Sequence, residues 1–555
     1  MKSLLLASAI AILPFSAPIL AYGAADPLFD EARLTAHVKV LSDDSFEGRG
    51  PATEGEKKTV AYISEQYAKA GLQPGGDKAK DGKRAWTQDV PLGRFDIDGP
   101  VAASFTVGGA STPLVQGDDI AIRAAMTNQK AVSLKDVPIV WAGYGVKAPE
   151  RNWDDFKGLD VKGKMIVVLI NDPDFETGNG DFGGKAMTYY GRWTYKYEEA
   201  ARLGAAGVLI VHETAGASYG WATVKNSNTN TMFDIVRPDA ARQHTAVESW
   251  ITRDAAVALF RAAGLDFEAE KKKAQGRDFQ PVQLKGATFS ADFKVKPEVI
   301  VSKNVVGILP GKTHPDEYVI YSGHWDHLGI GRPDAKGDTI YNGAVDNATG
   351  TAAVIEMGRA FAKGPRPERS IVFLTVTAEE KGLLGSEYYA ANPLYPVGKT
   401  VAVFNTDALS PLGPTRDFNV SGDAKQDLLD MLIAKGKAEG RVFSPDPNPE
   451  AGHFYRSDHF PFAKRGVPAI SFGSGIDVIG GKPGEAQAWA EAYTKDKYHQ
   501  PADEWSADWR MDGMVADLTL LHDLGSDLAN SRAWPEWAEG SEFKATRDAT
   551  KAERK

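Results

Sequence analysis

The sequence predicts an α/β protein built on a mostly parallel, twisted sheet flanked by helices and interrupted by a β-rich insert. Three observations carry this. From Asn304 to about Asn530, apolar strand runs alternate with amphipathic helical stretches, as in a sheet covered on both faces. From about Val101 to Val140, glycine and proline punctuate short strands, and the segment up to about Phe293 reads as its own unit. A chain of 555 residues also exceeds what one core holds, so at least two compact units are expected.

The chain opens with Met1-Lys2-Ser3 and an apolar run from Leu4 to about Leu20 that Pro14 and Pro18 break. Small residues follow at Ala21, Gly23, Ala24 and Ala25, so residues 1–25 read as a secretory signal peptide and the product as exported, periplasmic or extracellular. Two helical stretches then surround a polar loop, and the second, Thr53 to Ala70, stops at Gly71. In the insert, 139–145, 164–170 and 207–212 read as strands and 197–206 as a helix, with Pro138 placed just before the first strand. No cluster of catalytic residue types occurs there, which suits a binding or lid module.

In the second half, strands are expected at Glu317 to Ser322, Ile371 to Thr377, Val401 to Asn405 and Val467 to Phe472. Gly350 to Lys363 reads as a helix with Val354, Met357 and Phe361 on one face. The charged tail from about Gly540 to Lys555 reads as an unstructured, solvated end.

Composition narrows the function. A hydrophobic content of 43% and a charged content of 25% are those of a globular protein. No run of about 18 apolar residues follows the leader, so no membrane span is expected once it is removed. A net charge of -10 lacks the basic footprint that nucleic acid demands. The chain has no cysteine, so disulfides, thiolate ligands and a cysteine nucleophile are excluded, and any metal must be held by imidazole and carboxylate.

In an open parallel sheet, ligands bind beyond the carboxyl ends of the strands. Three of the four strands run directly into metal-ligand residue types: Gly323-His324-Trp325-Asp326-His327, Ala378-Glu379-Glu380 and Asn405-Thr406-Asp407. An acidic turn, Asp346-Asn347-Ala348-Thr349-Gly350, opens the predicted helix, and Tyr498-His499-Gln500-Pro501-Ala502-Asp503 comes far downstream. Such donors suit zinc, and two ions about 3.5 to 4 Å apart clamp both oxygens of a hydrolysis. Three carboxylates and a bridging hydroxide balance two divalent ions, whereas a single ion would be over-neutralised. Adjacent Glu379 and Glu380 point in different directions, so one can ligate while the other faces the bound water as general base. Each motif alone is weak, because His-x-Asp is commonly structural and Asp before a helix is commonly a cap. Their coincidence at strand ends is the signal.

These motifs resemble those of the M28 family of zinc peptidases, which includes co-catalytic zinc aminopeptidases, glutamate carboxypeptidase and the transferrin receptor ectodomain. Ala378-Glu379-Glu380-Lys381-Gly382-Leu383-Leu384-Gly385-Ser386, Ser457-Asp458-His459 and the opening segment Phe46 to Thr53 extend the match. The resemblance implies a zinc aminopeptidase-like fold. Asp346 would bridge two zinc ions, or cobalt or manganese, with His324 and Asp407 at one and Glu380 and His499 at the other. It makes Glu379 the general base, has Asp326 orient His324 through its other ring nitrogen, and offers Tyr498 as an oxyanion donor. His327 and His459 are expected to be supporting or structural, and His453 and Arg456 carry a weaker signal.

By the same resemblance, residues 26–115 and 294–535 form the peptidase domain, 116–293 an inserted protease-associated domain, and 536–555 a charged tail. The implied activity is release of N-terminal residues from peptides by a metal-bridging hydroxide. A carboxypeptidase of the glutamate carboxypeptidase type is the alternative, which needs arginines that no motif identifies. A non-catalytic homologue would have lost ligands that are all present here. An unrelated two-metal phosphatase or amidase would act on phosphoesters and not on peptides. Side-chain preference and oligomeric state are not readable from the sequence.

Overall fold

A computed structural model describes residues 27–237, 239–422 and 425–554. The expected signal peptide lies outside the described residues. No helix among those described is long and apolar enough to cross a membrane.

The sheet of the second half is mixed. Four of its strands, Arg369–Val376, His314–His324, Thr400–Thr406 and Ala469–Ser474, lie side by side in that order and run parallel. Antiparallel neighbours close both sides: the end of strand Val282–Leu309 beside Arg369–Val376, and Asp417–Val420 beside Ala469–Ser474. Every residue of Arg369–Val376 and Thr400–Thr406 is buried, as a strand covered on both faces requires. Helix Gly350–Lys363 covers one face with Val354, Met357 and Phe361, and Tyr389 and Phe462 cover the other. The four strands and this helix fall where the apolar periodicity predicts them.

Strand Val282–Leu309, 28 residues long, belongs to two sheets. Its start pairs with Ala102–Val107 and Ala131–Trp141, and its end pairs with Thr87–Ile97 and Arg369–Val376. The second sheet adds Met165–Leu169, Gly207–His212 and Val247–Thr252, parallel to one another and to Ala131–Trp141. It has its own core around Trp141, Phe260 and Phe289.

Three expectations need correction. Pro138 lies inside strand Ala131–Trp141, not before it, and its missing donor falls where the register with Val282–Leu309 is irregular. The insert's helix runs Trp193–Arg202, earlier than expected, because the aromatic residues Trp193 and Tyr197 pack inward. The charged tail is folded: Phe543 is buried against Trp537, helix Lys544–Ala549 follows it, and Arg547 donates to the carbonyls of Thr400 and Pro535. Phe543 and Arg547 stand one helical turn apart, so among the charges they form a single inward stripe.

Candidate metal centre

Loops at one edge of the sheet of the second half bring the five predicted ligands together. His324 is the last residue of its strand, Asp407 follows Thr400–Thr406 directly, and Glu379 and Glu380 follow Arg369–Val376 by way of Ala378. Asp346 sits in an irregular turn before helix Gly350–Lys363. That turn is pinned from two sides. Asp503 accepts from the backbone N–H of Val345 and Asp346 at 3.0 and 3.1 Å, and Asn347 Oδ1 accepts from those of Gly350 and Ala408 at 2.8 and 3.2 Å.

Asp346 faces a different histidine with each oxygen. His324 Nε2 stands 3.3 Å from Asp346 Oδ1 and 3.2 Å from Asp407 Oδ1. His499 Nε2 stands 3.3 Å from Asp346 Oδ2 and 2.9 Å from Glu380 Oε2. Glu379 Oε2 lies 3.8 Å from His324 Nε2. Two three-residue groups thus share Asp346.

Supporting residues fix these side chains. Ser457 Oγ donates to Asp407 Oδ2 at 2.6 Å. The Asp326 role divides differently from the expectation: its backbone carbonyl, 3.1 Å from His324 Nδ1, is what meets the imidazole, while its carboxylate stands 3.8 Å off. That carboxylate instead accepts from the Glu379 N–H at 3.1 Å, so Asp326 holds both motifs. Tyr498 stacks on His499 with ring centres 3.9 Å apart, and its hydroxyl accepts from Arg456 at 3.0 Å. His459 is buried against Phe454, and burial pulls it down to about 3.

His327 lies closer to the centre than a supporting role suggests. Its Nδ1 is 2.5 Å from Glu380 Oε1 without the alignment of a hydrogen bond, and with Asp346 and Glu380 it forms a further possible ligand group.

Two residues escaped the sequence reading. Ser227, on helix Trp221–Asn228 of the insert, sits 2.7 Å from His499 Nδ1, and nothing in its surroundings in the sequence marks it. Arg49, noted only within the opening segment, is buried and donates to the carbonyls of Trp325, Leu41, Asn342 and Gly343. It straps the N-terminal segment to the loops that carry His324 and Asp346. A buried guanidinium matched to four converging carbonyls is a tertiary fact, invisible until the fold is known.

Burial raises Glu380, but His499 and His327 overcome that and hold it down to about 2. Burial lowers His499, but Glu380 and Asp346 hold it up at about 9. Glu379 goes the other way, pushed well up by burial and by the neighbouring Asp407, Asp458 and Glu380 despite His324. The donor set fits hard or borderline divalent ions. Two imidazoles and three carboxylates converge with no Lys or Arg bonded to them among the described residues, and Glu380 Oε1 is buried without a hydrogen bond.

The fold and this cluster define an α/β protein with a candidate metal centre at the ends of its parallel strands. Residues 304–521 match the model of Peptidase family M28. Aminopeptidase NAALADL1 of Mus musculus is 36% identical over 144 residues, which cover 24% of this chain and 17% of that protein. A probable zinc metalloprotease of Pyrenophora teres f. teres is 37% identical over 103 residues, 19% of this chain and 22% of the relative. The chain thus spans about a fifth of the length of these curated relatives. Among solved structures, the aminopeptidase from Aneurinibacillus sp. strain AM-1 shares the fold at a TM-score of 0.53 and 18% identity, over 90% of this chain and 94% of that one.

Proposed function

We propose that the protein is an exported dinuclear zinc exopeptidase, an aminopeptidase that releases N-terminal residues from peptides. The observation that carries it is Asp346, whose oxygens face His324 and Asp407 on one side and His499 and Glu380 on the other. These five residues would hold two zinc ions, with cobalt or manganese as substitutes. When bound, the ions supply Lewis acidity toward the scissile carbonyl and make water more acidic.

The chain's own groups do the rest. Glu379 takes a proton from the attacking water and returns it to the leaving amine nitrogen. Asp326 fixes the start of the Glu379 turn through the 3.1 Å bond to its N–H. The Tyr498 hydroxyl donates to the carbonyl oxygen as it gains charge, while Arg456 holds the same hydroxyl in place. Residues 26–115 and 294–535 would form the peptidase domain, except that Ala102–Val107 and Ala110–Leu114 pair into the second sheet and go with 116–293, a protease-associated domain over the mouth of the site. Support for that placement comes from Ser227 at His499 and from Lys381 Nζ, which donates to Asn230 Oδ1 at 2.7 Å.

Glu379→Gln tests the reading. The variant should keep two zinc ions per chain by metal analysis and lose about 10²- to 10⁴-fold in kcat on alanine p-nitroanilide. Near wild-type turnover in that variant would remove Glu379 from the role of base.

A further inference from the structure

The Glu379 carboxylate is held by little. His324 Nε2 stands 3.8 Å away, and the carboxylate accepts no hydrogen bond among the described residues. Glu380, by contrast, faces His499 and His327 at close range. The aim of Glu379 is therefore set by the backbone of the short turn Glu379–Lys381. That turn needs outside support. Ala378 just before it and Leu383 shortly after it are both left-handed, at φ 52° and 61°, a conformation that non-glycine residues keep only where their surroundings impose it.

Two contacts impose it. At the start of the turn, Asp326 accepts from the Glu379 N–H. At its end, Lys381 is buried, and its ammonium pairs with no carboxylate among the described residues. It donates instead to Asn230 Oδ1 at 2.7 Å and to the Ser227 carbonyl at 3.4 Å, in the last turn of helix Trp221–Asn228. Carbonyls at a helix end lack partners within the helix and carry partial negative charge, which suits a cation that has no anion.

The segment that receives Lys381 is itself fixed at both ends. Trp221 Nε1 donates to the Gly117 carbonyl of the insert at 2.9 Å. Thr231 Oγ1 donates at 2.6 Å to Asp96 Oδ1 on strand Thr87–Ile97, which pairs with the end of Val282–Leu309. Between these anchors, Asn226 and Ser227 meet His499. One stretch, 221–231, thus reaches a candidate ligand and the turn of Glu379 together.

We propose that Lys381 is a positioning residue: tied to Asn230 and to the end of helix Trp221–Asn228, it holds the turn that aims Glu379, so that the insert governs the rate of proton transfer. The inference rests on the peptidase reading above, which makes Glu379 the base.

The test compares zinc-loaded wild type with Lys381→Met, Lys381→Arg, Asn230→Ala and the double variant of Lys381→Met with Asn230→Ala. On alanine p-nitroanilide, each of Lys381→Met and Asn230→Ala should lower kcat about 10- to 100-fold, the loss that a slight misplacement of a reacting group brings, with KM and zinc content unmoved. The double variant should lose no more than the worse single variant, because the two residues act through one contact. Lys381→Arg, which keeps a cation and its donors, should recover part of the loss. A kcat for Lys381→Met within about twofold of wild type, loss of zinc in that variant, or losses that multiply in the double variant overturns the assignment while the peptidase reading stands. If no peptide is cleaved, hydrogen exchange decides. The Gly382 and Leu383 N–H groups both donate to the Glu379 carbonyl at 2.9 Å, closing the turn. They should exchange about tenfold faster in Lys381→Met and Asn230→Ala than in wild type, and wild-type rates in both variants overturn the positioning role. Circular dichroism confirms that the variants are folded, and Asn230→Ala, which leaves Lys381 in place, carries the test should Lys381→Met not fold.

Discussion

Both sheets of this molecule end parallel strands in polar loops, yet they use those ends in opposite ways. In the insert, Met165–Leu169 leads to Asn171 and Asp172, and Gly207–His212 ends at His212. Each of these is satisfied locally. Asn171 donates to the Gly216 carbonyl at 2.9 Å, Asp172 accepts from the N–H and hydroxyl of Thr188 at 2.6 and 2.9 Å, and His212 Nε2 meets the Tyr219 carbonyl at 2.9 Å. In the sheet of the second half, His324, Asp346, Glu380, Asp407 and His499 face one another, and Asp326 Oδ2 and both nitrogens of His327 have no hydrogen bond among the described residues. A strand-end position makes a polar residue available. Chemistry follows only where its neighbours leave it unsatisfied around a shared space.

The same substitution in both sheets should break them differently. Asp346→Asn removes the carboxylate that faces both His324 and His499, so on the proposed function bound zinc should fall from two ions per chain to below one and peptide hydrolysis to background. Asp172→Asn keeps an acceptor for Thr188 and touches no part of the centre. It should retain zinc and activity and cost about 1–2 kcal/mol of stability, read from denaturant unfolding. Retention of both ions by Asp346→Asn would contradict the bridging geometry.

This contrast also explains what the sequence made legible. Three of the five candidate ligands, His324, Glu380 and Asp407, stand just beyond strands that apolar runs announce, so their convergence follows from the rule that parallel strands end on one side, while Asp346 opens a helix and His499 follows one. The helix Gly350–Lys363 was readable for the same reason, since its inward face repeats at helical spacing. Ser227 and the carbonyl partners of Arg49 were not readable. Each acts through a contact with a residue far away in the chain, and the local sequence of such a residue is under no helical or strand constraint that would reveal it. Asp326 shows a subtler limit: the sequence placed it beside His324, but which of its oxygens meets the ring depends on a backbone path that spacing does not encode. The tail misled because its charges outnumber Phe543 and Trp537, and those two residues decide its packing.

Ser227 is where the insert reaches into the chemistry of the other sheet. Its hydroxyl at 2.7 Å fixes the orientation of the His499 ring, and Asn226 Nδ2 donates to the His499 carbonyl at 3.0 Å. Loss of such a partner typically weakens metal affinity about 10- to 100-fold. Ser227→Ala should therefore lower the affinity of one zinc ion by that factor in a chelator titration and leave the other unchanged. Equal weakening of both ions would mean that the insert steadies the whole centre and not one ligand.

The smallest expected effect lies wholly within the insert's polar network and is a matter of pH. His244 Nδ1 is 2.8 Å from Glu248 Oε1 and its Nε2 is 3.1 Å from Asp234 Oδ2, and the same carboxylates are shared with Arg123 and Arg237. Burial lowers the imidazole, but Glu248 and Asp234 outweigh burial and hold it up at about 9. A cation whose folded value is raised contributes stability that is fully present below its unfolded value, about 6.5, and lost as pH rises through about 9. The contribution is on the order of 1–3 kcal/mol. Thermal unfolding of His244→Gln should therefore fall several degrees below wild type at pH 6 and approach it at pH 10, with zinc content unchanged at both. A deficit of equal size at the two pH values would show that His244 acts by packing and not by charge, and the insert would then hold its polar groups by hydrogen bonds alone.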